Sequence, residues 1–101
     1  MVASVMVKRV AVLDGRHIYI YGPDDEISGH LTLDLSTAHL YPSDEGGSRT
    51  GAAYISLDGK DAEGGTLSDF EWNVFLRATV GIRKKVLAGQ EPPDTAHRFF
   101  H

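Results

Sequence analysis

The residues that come nearest to a catalytic set lie on two of the predicted strands. Side chains two apart on a strand share a face, so His30, Thr32 and Asp34 point the same way. Ser56 lies on the fourth predicted strand. A Ser–His–Asp relay needs a nucleophile and a base within hydrogen-bond reach, together with an oxyanion hole. No nucleophile-elbow pattern surrounds any serine, so we interpret these side chains as a polar sheet face and predict no catalytic residue.

The histidines are the other residues that could do chemistry, because the chain has no cysteine and a thiolate site is thereby excluded. His97 and His101 are four residues apart, as the histidines of a helical zinc site are, but no glutamate follows His97 and two prolines come just before this segment. The acidic segment 58–63 lacks the ligand spacing of a calcium loop. We therefore predict neither a metal nor another cofactor. The histidines are His17, His30, His39, His97 and His101.

Length and charge limit the classes of partner. The chain has 101 residues, enough for one domain, and its net charge is −4 at pH 7. Nucleic acid and anionic membranes are therefore disfavoured as partners, and a cationic protein partner is electrostatically favoured. No segment is long and apolar enough to span a bilayer. These features predict a cytoplasmic protein that is not bound to a membrane.

A β-hairpin is the first element that positions side chains. Segment 5–13 is rich in β-branched residues and nearly apolar on both faces, which is typical of a central or doubly covered strand. The dipeptide Asp14-Gly15 favours a two-residue type I′ turn, so segment 16–21 returns antiparallel. This turn fixes the predicted register, in which the pairs are Leu13 with Arg16, Val12 with His17, Ala11 with Ile18, and Val10 with Tyr19.

Two further strands are predicted from alternation. In segment 27–35 apolar or small residues occupy every second position, which predicts one buried and one solvated face. Segment 53–57 alternates in the same way. Segment 36–41 either extends the sheet or turns a corner, so the predicted sheet has four or five strands. Segment 42–51 is polar and glycine-rich and is predicted to be a mobile loop.

Segment 68–88 has the only long helical periodicity in the sequence. Ser68 and Glu71 have the spacing of a capping box, and a glycine follows the last turn. The sequence thus predicts an α+β fold, in which an antiparallel meander of four to five strands is packed by one long C-terminal helix. Residues 1–89 form the single predicted domain, and residues 90–101 form a C-terminal tail.

The predicted helix carries more apolar surface than one sheet can cover. It has two apolar sides, whereas a helix on one sheet needs a stripe of roughly 100°. Either the sheet curls around the helix, or the tail covers the second side, or another chain does. The third alternative predicts a homodimer built on helix 68–88. The predicted partner-binding residues are Trp72, Leu76, Val80, Arg83, Leu87, Phe99 and Phe100.

The sequence favours a non-enzymatic protein-binding module over an enzyme. No stretch matches a family motif that we can name, and the surplus apolar surface on helix and tail indicates a protein partner. Small acidic inhibitors and immunity-type proteins are the class with which we compare it. The alternative is a small enzyme or ligand-binding protein with a pocket between sheet and helix. The residues predicted to line that pocket are His17, Tyr19, His30 and Tyr54.

Overall fold

The computed structural model describes residues 4–24 and 26–99, with side chains as far as Thr95. Over these residues the chain forms seven strands and one helix. In chain order they are β1 (Ser4–Leu13), β2 (Arg16–Pro23), β3 (Gly29–Asp34), β4 (His39–Ser43), β5 (Tyr54–Ser56), β6 (Ala62–Glu63), α1 (Asp69–Leu87) and β7 (Thr95–Phe99). No helix in this described part combines the length and the apolar character needed to cross a bilayer.

One antiparallel sheet contains the seven strands, in the spatial order β6-β5-β4-β3-β2-β1-β7. The first six form a meander, and β7 returns after the helix to pair with β1. The α+β class, the meander and the packed helix are confirmed, while the strand count exceeds the predicted four to five. β6 has two residues, and β7 lies in the segment interpreted as a tail. Neither strand has the run of alternating apolar and polar residues from which a strand is predicted.

The β1–β2 hairpin turns where the sequence predicts. Asp14 and Gly15 have φ values of 50° and 78°, the left-handed conformation that a type I′ turn requires. The predicted pairs from the turn back to Ala11 are confirmed, with Leu13 opposite Arg16. The turn therefore fixes the register from one end of the hairpin.

A β-bulge at Val10 changes the register in the middle of β1. Arg9 lies opposite Tyr19, so the predicted Val10–Tyr19 pair is wrong. The turn sets one register, whereas burial of Val5 and Val7 against the helix sets another that is one residue out of step. The extra residue in β1 absorbs this difference.

One face of the sheet packs against the helix. The strands contribute alternate residues, and α1 contributes a buried stripe along its length. Full burial of one valine, leucine or isoleucine side chain stabilises a fold by about 1.5–3 kcal/mol. The core cluster consists of Val5, Val7, Tyr19, Tyr21, Leu31, Leu33, Leu40, Ile55, Val74, Phe75, Ala78 and Ile82.

The helix begins and ends as the sequence predicts. Ser68 Oγ accepts a hydrogen bond from the Glu71 amide at 3.1 Å, and Glu71 Oε1 accepts one from the Ser68 amide at 3.0 Å. The capping box is thus confirmed, and these hydrogen bonds lower the pKa of Glu71. Gly89 follows the helix with a φ of 82°, the left-handed conformation that often ends a helix.

The sheet curls around the helix and covers much of its second apolar side. Gly64 lies against the Trp72 ring, which stacks on Phe75 with ring centroids 5.6 Å apart. The Arg83 guanidinium lies so close to Gly59 that a Cβ at Gly59 would be 2.8 Å from its Nη1. The segments on both sides of β6 therefore cover one side of α1, and β7 lies along another. Cover by a further chain stays a prediction.

The sheet face opposite the helix, which we call the outer face, is covered in its middle by the loop over 44–53. Gly47 is buried there against Ile18. Thr32 is fully buried, and its Oγ1 donates to Ser43 Oγ at 2.8 Å. The prediction that Thr32 is solvated is therefore wrong. A polar loop packs on this face through hydrogen bonds and glycine contacts, so the segment predicted to be mobile is anchored to the sheet.

Candidate functional site

The Ser–His–Asp set considered from the sequence is not brought together. Ser56 lies opposite His39 on β4. Its hydroxyl donates to Asp58 Oδ1 at 2.7 Å and accepts the Asp61 amide at 3.0 Å. His30 lies beside the opposite end of β4. The Ser56 hydroxyl therefore stabilises the turn between β5 and β6.

The four residues predicted to line a ligand pocket lie on both faces of the sheet. Tyr19 is fully buried in the core beneath α1, and His17 lies on the same face of β2. His30 and Tyr54 lie on the outer face, where the Tyr54 ring stacks on His39 with centroids 4.8 Å apart. The structure therefore does not assemble these four residues around one pocket.

Two clefts on the described surface bear on the ligand-binding alternative. A narrow one of about 60 Å³ lies between β2 and the first turns of α1. An open one of about 380 Å³ lies where the β3–β4 turn, β5 and the end of α1 meet. None of the four predicted pocket residues lines either cleft. Among the described residues, no group of three or more His, Cys, Asp or Glu is placed to hold a metal ion.

A cluster of aromatic and charged side chains fastens the 44–53 loop to the outer face. The Arg49 guanidinium lies 5.1 Å from the Tyr41 ring centre and 5.5 Å from that of Tyr54, within cation–π range. Tyr41 OH donates to Asp34 Oδ2 at 3.4 Å, and burial raises the pKa of Tyr41. A hydrogen bond from the Ser36 side chain lowers the pKa of Asp34. These contacts hold the loop against the outer face.

The predicted partner-binding side chains on the helix are covered to different degrees. Trp72 and Leu76 are half-buried against the core, and Val80 is half-buried too. Arg83 is half-buried, its Nε donates to a threonine hydroxyl one turn earlier at 3.2 Å, and burial lowers its pKa. Leu87 is 57 % exposed at the end of the helix. Only the last of these presents a large uncovered apolar side chain.

The two phenylalanines of the predicted tail are described only in part. The backbone of Phe99 pairs with Ser4 at the end of β7. Phe100 lies outside the described residues. The binding role assigned to these two side chains stays a prediction.

The last residues of β1 are apolar, and among the described strands they have a neighbouring strand on one side. β7 pairs with residues 4–8, and the Arg9 amide donates to the Asp94 carbonyl at 2.7 Å. Beyond that point lie residues 10–13, which we call the free edge. Among the described strands only β2 neighbours them, and it pairs with Ala11, Val12 and Leu13, while Val10 is the bulge residue. Three side chains of the free edge are about half exposed, at 50 % for Val10, 51 % for Val12 and 45 % for Leu13.

Arg9 fixes the chain at the point where the cover by β7 stops. Its guanidinium contacts the Asp94 carboxylate and lies 3.2 Å from His17 Nδ1. Burial and the nearby Arg9 charge lower the pKa of His17. Tyr19 OH donates to the Pro93 carbonyl at 2.7 Å, and burial raises the pKa of Tyr19 to about 12. These contacts draw the chain before β7 onto the helix side of the sheet, away from the free edge.

The sequence predicted this strand but not its free edge. The nearly continuous apolar run in β1 predicted that the whole strand is buried by neighbouring elements. The structure shows such burial for the first half of β1, whereas the second half is exposed. The sequence signal for the missing cover is the pair of prolines before β7. Proline has no N–H to donate to a neighbouring strand, so a strand that pairs with β1 begins only after Pro93.

The fold and the free edge define a class of structure, an α+β domain whose antiparallel sheet has an uncovered apolar edge segment. No family model, curated protein or solved structure matches the chain. A functional interpretation therefore rests on the geometry of the described residues.

Proposed function

We propose that this chain is a non-enzymatic protein-binding module that receives an extended segment of a partner along the free edge. The observation that carries the proposal is the pairing of β7. It covers residues 4–8 of β1 and leaves residues 10–13 without an outer neighbour among the described strands. Such an edge presents backbone N–H and C=O groups to an incoming strand.

The side chains of the free edge favour an apolar partner segment. Successive side chains of a strand alternate between the two faces, so a strand beside Val12 and Leu13 meets an apolar group on each face. Full burial of one such side chain contributes about 1.5–3 kcal/mol, and covering a half-exposed one contributes part of that. The interface is small, which is typical of a transient complex.

The properties of the whole chain bear on the charge of the partner and on the location of the module in the cell. Its net charge of −4 favours a cationic protein partner over nucleic acid or a membrane. We place the module in the cytoplasm. A small acidic inhibitor or immunity-type protein, which blocks its target by covering a surface, is the class of binding module that these properties favour.

Site-specific crosslinking tests the proposal. A photoreactive residue at Val12 should crosslink the full chain to a partner in an extract of the source cells. Val10→Lys and Val12→Lys should each weaken capture at least about tenfold, because a charge in an apolar contact must be desolvated. Ile27→Lys is the matched control, because Ile27 is 60 % exposed but lies beyond the other end of β2.

Leu87→Lys separates this proposal from binding through the helix. Leu87 is at least as exposed as Val12 and belongs to the partner-binding set predicted from the sequence. Capture that is lost in Leu87→Lys and kept in Val12→Lys would assign the binding surface to the helix and overturn the proposal.

Ligand binding is the second candidate function, and the open cleft of about 380 Å³ is the observation that favours it. Melting of the chain with a panel of small polar molecules tests this candidate. A true ligand should raise the melting temperature of the wild type and of Val12→Lys. It should not raise that of Thr37→Trp, in which a large side chain fills the cleft beside Thr37.

A further inference from the structure

We infer that protonation of His17 loosens the hold of the sheet on segment 92–94, so that the first pairs between β7 and β1 open in mildly acidic solution. The device is a pH-sensitive contact within the single chain. It goes beyond the proposed function, because it holds or fails whether or not a partner binds at the free edge.

The chain that leads into β7 is held on the sheet by two side chains. Arg9 Nη1 donates to the Pro92 carbonyl at 3.4 Å, and Arg9 Nη2 contacts the Asp94 carboxylate. Tyr19 OH donates to the Pro93 carbonyl at 2.7 Å. Three successive residues are therefore fixed immediately before β7 begins.

The backbone at this point joins β1 to the start of β7. The Arg9 amide donates to the Asp94 carbonyl at 2.7 Å, and the next pair of the ladder joins Lys8 to Thr95. When the Arg9 side chain leaves the Asp94 carboxylate, the ladder therefore loosens first at this end. The rest of β7 stays paired with residues 4–7 and in contact with α1.

His17 shares one Arg9 nitrogen with the segment before β7. Its Nδ1 lies 3.2 Å from Arg9 Nη1, the same atom that donates to the Pro92 carbonyl. A guanidinium has N–H donors and no acceptor, so this contact needs an unprotonated Nδ1, and neutral His17 carries its proton on Nε2. Protonation of Nδ1 places a second donor and a positive charge against Arg9. Repulsion then replaces the hydrogen bond.

The neighbours of His17 on the sheet carry no charge that could offset this repulsion. Its pairing partners are Val12 on β1 and Leu33 on β3, which are both apolar. On the same face of β2, Tyr19 stays neutral, because burial raises the pKa of Tyr19 to about 12. The response of His17 to pH therefore acts on Arg9.

The charged groups that His17 meets on other elements are Arg9 and, through Arg9, the Asp94 carboxylate. Burial first and the Arg9 charge second lower the pKa of His17, and no other charge in the described part of the chain, α1 included, adds to this shift. In the opened form Arg9 has moved away and water reaches the ring, so the opened form takes up a proton more readily. A fall in pH below the ordinary histidine value of 6.5 therefore favours opening.

Amide hydrogen exchange of the full chain tests the inference, because the Arg9 amide donates across the contact that opens. Its protection factor, which is corrected for the intrinsic effect of pH, should fall at least about twofold between about pH 7.5 and about pH 5. Amides of β3 are the reference, since β2 and β1 separate this strand from β7. In His17→Gln the protection of the Arg9 amide should be the same at both pH values, because glutamine offers an acceptor that does not titrate.

His97→Gln is the matched control, because His97 is a histidine on β7 itself, where its backbone pairs with Met6. This variant should keep the pH response of the wild type. Circular dichroism melting checks that both glutamine variants are folded.

The tautomer of His17 gives a second measurement, which needs no variant. Nitrogen NMR of the labelled wild type above pH 7 should show neutral His17 with its proton on Nε2, since Nδ1 accepts from Arg9. The two measurements on the wild type decide the question if His17→Gln does not fold.

Four results would each overturn the inference. Two concern the wild type, namely constant protection of the Arg9 amide over this pH range and neutral His17 with its proton on Nδ1. The others concern the variants. A pH response that persists in His17→Gln would assign the opening to another group, and a response that disappears in His97→Gln would assign it to the histidine of β7.

Discussion

β1 contains two halves with similar residues and opposite surroundings. Val5 and Val7 are 0 % and 1 % exposed, whereas Val10 and Val12 are 50 % and 51 % exposed. The first pair lies between β2 and β7 and beneath α1, while the second has β2 as its single neighbouring strand in the described part of the chain. Because residue type and strand propensity are the same in both halves, the neighbouring elements decide which valines are buried.

The boundary between the two halves is built from side-chain and backbone contacts. The bulge at Val10 changes the pairing register, and Arg9 contacts the carboxylate and the carbonyl of Asp94 at the same place. The prolines at 92 and 93 precede this point and have no N–H with which to continue a ladder. The first half is thereby fixed in the core, and the second half is left available for contact.

Removing β7 should abolish the difference between the halves, and this change has the largest expected effect. A chain that ends at Gly89 loses the strand beside residues 4–8 and the Pro93 carbonyl that accepts from Tyr19. Several hydrogen bonds are lost at about 1 kcal/mol each, so the free energy of unfolding should fall by at least about 3 kcal/mol. Urea denaturation followed by circular dichroism measures this. A truncated chain as stable as the full chain would show that β7 does not hold the first half in place.

A matched pair of valine substitutions sharpens the comparison. Val7→Thr places a hydroxyl in the core and should lower the free energy of unfolding by about 2 kcal/mol. Val12→Thr keeps the β-branched shape at an exposed position and should change it by less than about 0.5 kcal/mol. Chemical denaturation of both variants under the same conditions measures the difference. Equal costs would mean that the two halves are equally buried in solution.

Removing one hydroxyl at the boundary should have a smaller effect. Tyr19→Phe deletes the donor to the buried Pro93 carbonyl and should cost about 1–2 kcal/mol, because the carbonyl loses its partner. Tyr54→Phe is the control, since the described contacts of Tyr54 are made by its ring. If the two variants lost stability equally, the Tyr19 hydroxyl would have no special role in fixing the boundary.

The smallest expected effect is a pH dependence at His17. Its folded-state pKa lies below the ordinary value of 6.5, because of burial first and the Arg9 charge second. As pH falls below about 6.5, the unfolded chain therefore takes up this proton before the folded chain, and the free energy of unfolding decreases. His17→Gln should show a shallower loss of stability between neutral and mildly acidic pH in thermal denaturation. An unchanged slope would contradict the lowered pKa.

The sequence predicted the elements whose signals are local. The capping box at Ser68 and Glu71 and the left-handed turn at Asp14-Gly15 need only neighbouring residues, and the structure shows both. Alternation in β3 likewise predicted that Leu31 and Leu33 belong to the core. Each of these signals acts within a few residues, so a single sequence contains all the information that it requires.

The candidate site needed information that the sequence does not hold locally. The bulge at Val10 arises because two distant constraints, a turn and a helix contact, demand registers one residue apart. The free edge exists because β7 begins only at Thr95 and therefore pairs with β1 no further than Lys8. β7 follows two prolines, and its sequence has no clear alternation of apolar and polar residues. Thr32 is buried because a loop packs over it, whereas the polar composition of that loop predicted that it would be mobile in solvent.

By itself the sequence determined an α+β domain with one capped helix, an antiparallel meander and a hairpin closed at Asp14-Gly15. Capping, turn chemistry and hydrophobic period are set by short-range hydrogen bonds and by backbone sterics. The tertiary structure alone decided which apolar residues are covered. Burial depends on which distant segments approach a strand, so valines in the two halves of β1 have the same propensity but lie in the core in one half and on an open edge in the other.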